Sequence, residues 1–208
     1  MRNVVRSAFT IATVLTVTGI ASAARAQLSD PEIGAPAPTF TLQDTHGNQH
    51  ALADYRGQWV VLEWLNYECP YVRKHYNSGN MQRLQKTYGD KGVAWLAIVS
   101  SAPGKQGYFP PEEMNARSAA VGSNAKAVLL DSAGNVGRAY GARTTPQMVV
   151  IDPAGTLLYN GGIDDKPTTR VSDIEGAHNY VAAALDEAMA GQPVSRPRSQ
   201  PYGCSVKY

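Results

Sequence analysis

The chain reads as an α/β protein, a three-layer α/β/α sandwich around a mixed central sheet, and three observations carry that expectation. Two continuous apolar runs, Trp59 to Trp64 and Val93 to Val99, have the length and composition of central strands covered on both faces. Between them, Met81, Leu84 and Tyr88 keep helical spacing. Near the end, a hairpin pattern is followed by an amphipathic helical stripe, and strand–helix alternation closing in this way indicates the layered class.

Taken in order, residues 1–26 have the composition of a cleaved export signal. Arg2 and Arg6 form a basic start, Ala8 to Ile20 an apolar centre, and Ala24-Arg25-Ala26 a small-x-small site before Gln27. The apolar stretch is too short and too rich in Thr for a spanning helix. The chain is therefore expected to be exported, to the periplasm if its source is bacterial, with no membrane anchor. Residues 27–190 are expected to form one domain, and residues 191–208 a flexible tail carrying Cys204. The signal segment holds three arginines and no acids, which leaves 16 basic against 17 acidic residues and removes any case for nucleic-acid binding.

Within the domain, Pro36 to Asp44 is an extended lead-in, and Thr45-His46-Gly47-Asn48 is turn chemistry that suggests a hairpin. After the strand at Trp59 to Trp64, Tyr71 to Tyr88 is compatible with one helix. Pro110-Pro111-Glu112-Glu113 opens a helix running to about Val121. Ala127 to Leu130 is a short buried strand, and Asn135 to Tyr140 a short helix ended by Gly141. Met148 to Ile151 and Thr156 to Tyr159 pair around Asp152-Pro153-Ala154-Gly155. Val171, Ile174, His178, Val181, Leu185 and Met189 mark the final helix, with His178 expected at the edge of the core.

The chemistry concentrates at Cys69, which follows an apolar strand and a polar turn and precedes Pro70 and a helical stretch. A thiol at a helix N-terminus is stabilised as thiolate by the dipole and the free N–H groups, below its usual value of about 8.5. Arg73 and Lys74 add positive charge, while Glu68 opposes it. Glu63, alone among apolar neighbours on the preceding strand, is expected to be desolvated and raised toward a general-base range, unless it reaches solvent at a sheet edge. The second cysteine, Cys204, lies in the tail between Gly203 and Ser205. The pair offers two readings, a resolving thiol for Cys69 or a structural disulfide contributing about 4–5 kcal/mol through chain entropy.

At these residues the chain resembles the thioredoxin-fold superfamily, in its periplasmic peroxiredoxin-like (AhpC/TSA-type) branch, over roughly Ile33 to Met189. The resemblance rests on Gly34-Ala35-Pro36-Ala37-Pro38-Thr39-Phe40-Thr41-Leu42, on the strand–Cys69–helix junction, on Arg138-Ala139-Tyr140-Gly141-Ala142, and on Thr144-Thr145-Pro146 before Gln147 to Asp152. It implies a cis bond between Thr145 and Pro146 beside the nucleophile. It also implies a thiol oxidoreductase with antioxidant or disulfide-exchange activity, acting on a thiol/disulfide protein or a peroxide, with an external reductant, no cofactor, and a possible homodimer. Several positions depart from the pattern. Val72 stands where thioredoxins carry their second cysteine, and Asn66 and Leu62 stand where peroxiredoxins carry Thr and Pro. Peroxiredoxins place a peroxide-polarising arginine where this chain has Pro146, and Arg143 would have to substitute from three residues away. Two other classes are weighed beside this one. Cys69, His75 and Cys204 form a soft ligand set suited to Cu(I), and a stapled, redox-inert interaction module would keep the fold without the chemistry.

Overall fold

The computed structural model describes Met1 and residues 30–208; the expected signal segment lies outside the described residues. The hairpin at the start is β1 (Thr41–Asp44) and β2 (Gln49–Ala51), followed by a 3-10 turn at Leu52–Tyr55. The two apolar runs are β3 (Val60–Trp64) and β4 (Ala94–Val99). Between them lie α1 (Pro70–Asn77) and α2 (Asn80–Gly89). The expected single helix from Tyr71 to Tyr88 is thus two helices, because Gly79 adopts φ +70° and turns the chain at their junction.

Next come α3 (Pro111–Ala120), β5 (Ala127–Leu130) and α4 (Asn135–Ala139). A short β6 (Thr144–Thr145) precedes the hairpin β7 (Gln147–Ile151) and β8 (Leu157–Gly161). The last helix, α5 (Tyr180–Met189), is capped by the Asn179 side chain on the Ala182 N–H. Val171 to Ile174 is a separate 3-10 turn, and His178 is exposed against Tyr180 rather than packed at the core edge. The apolar stripe that suggested one long helix therefore spans a turn, a loop and α5.

Among the described residues, one seven-stranded sheet has the order β2-β1-β5-β4-β3-β7-β8. β3, β4 and β5 are parallel, while β7 lies antiparallel to β3, so the sheet is mixed. Side chains alternate between its faces. Val61, Trp95, Ala97, Met148 and Val150 face one core with α1, α2, α3 and α5. Leu62, Trp64, Leu96, Val149 and Ile151 face the other, with α4, the 3-10 turn and the lead-in at Ala37 and Phe40. These are the three layers. No helix of the described residues is long and apolar enough to cross a membrane.

The segment 191–208 is not loose, contrary to the expectation from its missing core periodicity. Asn160 donates its N–H to Pro197, and Ser199 Oγ lies 2.6 Å from Tyr159 Oη. β9 (Cys204–Ser205) pairs antiparallel with β6, Ala102 N–H reaches Lys207, and Tyr208 Oη donates to the Ala142 carbonyl at 2.6 Å. Backbone and polar side-chain contacts seat this strap, and neither leaves a hydrophobic period in the sequence.

Candidate active site

Cys69 is the N-cap of α1, with Pro70 at the first helical position, where a missing N–H costs nothing. Asn66 shapes the turn before it, accepting the Cys69 N–H on its carbonyl and the Glu68 N–H on its side chain. The Glu68 carboxylate is turned toward the Gly107 N–H, at 3.1 Å. The Cys69 thiol has no exposed surface and donates to the Thr145 carbonyl at 3.1 Å. Thr145–Pro146 is the cis bond, as the resemblance implies.

The second thiol arrives from the strap. Cys204 pairs with Thr145 across the β6–β9 ladder, and its backbone N–H points at Cys69 Sγ, 3.4 Å away. Both cysteines are free thiols. Gly203 makes this approach possible: with φ +143°, it lies so close to the Thr145 carbonyl that a Cβ would overlap it.

The two sulfurs are driven apart in acidity. Burial pushes the Cys69 thiol up, but hydrogen bonding from the Cys204 thiol and from the N–H groups of Val72 and Cys204 outweighs it, so the net shift is downward. Burial, with the neighbouring Cys69 sulfur, pushes Cys204 up to about 12. The expectation that Arg73 and Lys74 activate Cys69 is corrected. Arg73 is exposed, and the buried Lys74 ammonium is turned to the Lys166 carbonyl at 2.7 Å and to Asp164 at 3.6 Å. Neutral hydrogen-bond donors, not cations, lower the Cys69 value.

Glu63 is fully buried in the middle of β3, not at an edge. It accepts hydrogen bonds from Trp95 Nε1 at 2.8 Å, Tyr76 Oη at 3.0 Å and Gln85 Nε2 at 3.2 Å. Burial nevertheless raises it to about 7, so it holds a proton near neutrality. It makes no hydrogen bond to either thiol. Arg143 is not brought to the thiol: its guanidinium pairs with Asp30 at 3.0 Å, and its carbonyl receives the Val206 N–H.

His75 is buried, and both of its nitrogens are engaged, Nδ1 with Asn80 at 3.0 Å and Nε2 with Tyr202 Oη at 3.2 Å. Burial and the Lys74 charge hold it down at about 3, so the ring is neutral. Among the described residues, no group of three or more His, Cys, Asp or Glu is set to hold a metal, and the Cu(I) reading has no geometric support. Sequence reasoning missed Asp164 and Tyr202, which meet Lys74 and His75 beneath α1. The tail's lack of apolar period concealed Tyr202, for which the Tyr202-Gly203-Cys204 triplet is the signal that was available; Asp164, in the loop after β8, had none.

Comparison with known proteins places these features in context. The AhpC/TSA family profile matches residues 33–160. The thiol-disulfide oxidoreductase ResA of Geobacillus thermodenitrificans is 28% identical over 126 residues, 60% of this chain and 66% of that protein. ResA of Geobacillus kaustophilus is 34% identical over 71 residues, 40% of its length, so the matches span less than two thirds of these relatives. Among solved structures, a hypothetical protein of Sinorhizobium meliloti 1021 superposes with TM-score 0.72 at 25% identity, covering 86% of this chain and 96% of that one. An uncharacterized conserved protein of Geobacillus kaustophilus gives TM-score 0.72 at 28% identity, covering 85% and 92%.

Proposed function

The chain belongs to the AhpC/TSA family, and on that premise we propose that it is a thiol–disulfide oxidoreductase with Cys69 as nucleophile and Cys204 as resolving thiol. The observation that carries this reading is the seating of Cys204 against Cys69, its N–H 3.4 Å from the sulfur, with the two thiols shifted in opposite directions. The lower thiol attacks first, because the thiolate is the nucleophile.

In the first step, the Cys69 thiolate attacks one sulfur of a substrate disulfide. A protein–substrate disulfide forms, and the other substrate sulfur leaves as thiolate. Cys204 then loses its proton and attacks the Cys69 sulfur, releasing the second substrate thiolate and leaving Cys69–S–S–Cys204. The substrate gains two electrons and the protein loses them; the reverse sequence oxidises a dithiol client. The proton that Cys204 gives up passes to solvent, to which this residue is partly open; Glu63, which bonds to neither thiol, is a separate buried group that exchanges a proton near neutral pH. The similarity to the thiol-disulfide oxidoreductases ResA supports this chemistry. A peroxide reaction, converting Cys69 to sulfenic acid, has less support, because the Arg143 guanidinium is committed to Asp30. Export through residues 1–26 is part of the proposal, and a mature N-terminus at Gln27 is its check.

Reduced protein exposed to glutathione disulfide, quenched by alkylation and weighed intact, tests the assignment. The wild type should end as an internal disulfide without adduct. Cys204→Ser should accumulate a glutathione adduct on Cys69, and Cys69→Ser should react no faster than a simple thiol. An adduct formed first on Cys204, or full turnover by Cys204→Ser, overturns the roles.

A further inference from the structure

Besides the β6–β9 ladder, the strap is anchored by Tyr202, two residues before Cys204. Its phenol donates to Asp164 Oδ1 at 2.5 Å, with His75 Nε2 at 3.2 Å and Lys74 Nζ at 3.4 Å from the same oxygen. Because Asn80 Nδ2 donates to His75 Nδ1, the proton of the neutral imidazole sits on Nε2, facing the phenol. The phenol oxygen therefore accepts from His75 and Lys74 and donates to Asp164, using its whole hydrogen-bonding capacity. Its ring lies edge-on to Tyr71, at 5.8 Å between centroids.

Apart from Tyr202, Asp164 Oδ1 accepts the Lys166 N–H at 2.9 Å and Lys74 donates to the Lys166 carbonyl at 2.7 Å, but the ion pair itself is incomplete. The Lys74 and Asp164 side chains are 0% and 1% exposed, and their charged atoms stand 3.6 Å apart, beyond good hydrogen-bond distance. Asp164 Oδ2 has no hydrogen-bond partner. A buried ion pair that is incompletely hydrogen-bonded repays little of its desolvation cost. Three members of the cluster belong to α1 and the loop after β8; the fourth enters from the strap. We infer that Tyr202, seated on Asp164, Lys74 and His75, is a positioning residue that sets how fully Cys204 is presented to Cys69.

This inference rests on the Cys69–Cys204 reading and adds what governs it. When the phenol is released, the Cys204 N–H and S–H withdraw from the Cys69 sulfur, and both the thiolate and the ring-closing step lose support. Full-length wild type, Tyr202→Phe, Asp164→Asn and the double variant are to be compared by two readouts. One is the titration of Cys69 followed by thiolate ultraviolet absorbance. The other is the equilibrium in glutathione buffer, where Cys69–S–S–Cys204 and two glutathione thiols give the dithiol and glutathione disulfide. Tyr202→Phe keeps the ring but loses the hydroxyl, and should weaken internal disulfide formation about tenfold and raise the Cys69 titration, since a hydrogen bond to a charged group is lost. Asp164→Asn should do the same, and the double variant should add little. Unmoved values in a folded Tyr202→Phe protein overturn the inference, and that variant decides alone if Asp164→Asn does not fold. Failure of the wild type to form the internal disulfide would refute Cys204 as resolving thiol, while the Cys69 titration would still decide the role of Tyr202.

Discussion

Neighbouring residues of α1 feed two buried polar clusters of opposite construction. Tyr76 joins Glu63, Gln85 and Trp95, a single carboxylate among three neutral donors, with every member on a regular element of the core. Lys74 and His75 join Asp164 and Tyr202, a charged group held partly by the Lys166 backbone and partly by a residue of the strap. The first cluster is complete as long as the domain is folded. The second is complete only while the strap is seated. The difference teaches that Glu63 is held by the core alone, whereas the strap that seats Cys204 is held in part by a separable contact.

The largest test of this contrast is the pH dependence of stability. Glu63 titrates at about 7 in the fold against 4.5 when exposed, so the folded protein holds the extra proton between those values. Stability from this group is present below about pH 4.5 and is lost as pH rises to about 7, by about 3 kcal/mol. Glu63→Gln should remove that contribution, so that urea unfolding of the variant gains stability relative to wild type as pH rises from about 4.5 to 7; an unchanged profile means that Glu63 does not titrate there. His75 acts in the opposite sense. Held at about 3 against 6.5, it makes the fold lose stability as pH falls through that window.

A smaller effect is expected at Gly203. Alanine there meets both an unfavourable φ and the Thr145 carbonyl, costing the seated strap about 2 kcal/mol while leaving the core unchanged. Alkylation of Cys69 at high pH should then accelerate about thirty-fold, and an unaltered rate would show that β9 does not shield the thiol. Smallest is Tyr208→Phe, which removes the hydrogen bond to Ala142 at the far end of the strap. About 1 kcal/mol of seating should be lost, giving about a fivefold faster alkylation. An effect equal to that of Gly203→Ala would mean that the strap lifts as one rigid piece.

The legible parts of the molecule are those whose physics is periodic. β3 and β4 announced themselves as apolar runs, and their junction with α1 located Cys69. Glu63 was visible as one carboxylate in such a run, although its three donors come from positions 76, 85 and 95, which no local pattern connects. Gly79 shows why boundaries were harder: one left-handed residue divides a continuous helical period. The strap looks loose in sequence because it is seated by a two-residue ladder, carbonyl contacts and phenols, each specific in space and silent in hydropathy. Arg143 lies three residues from Pro146 in sequence, but its pairing with Asp30, 113 residues away, is visible only in three dimensions.

β9 occupies the backbone edge of Thr144–Thr145, and Cys69 beneath it has no exposed surface. Any partner strand that reaches this sulfur must first displace the chain's own. The strap is therefore a tethered competitor, whose effective concentration is set by its covalent attachment and is unaffected by dilution. A partner's apparent affinity is reduced by the fraction of time that the edge is self-occupied. A partner of this edge would engage it only by outcompeting a rival that can never diffuse away.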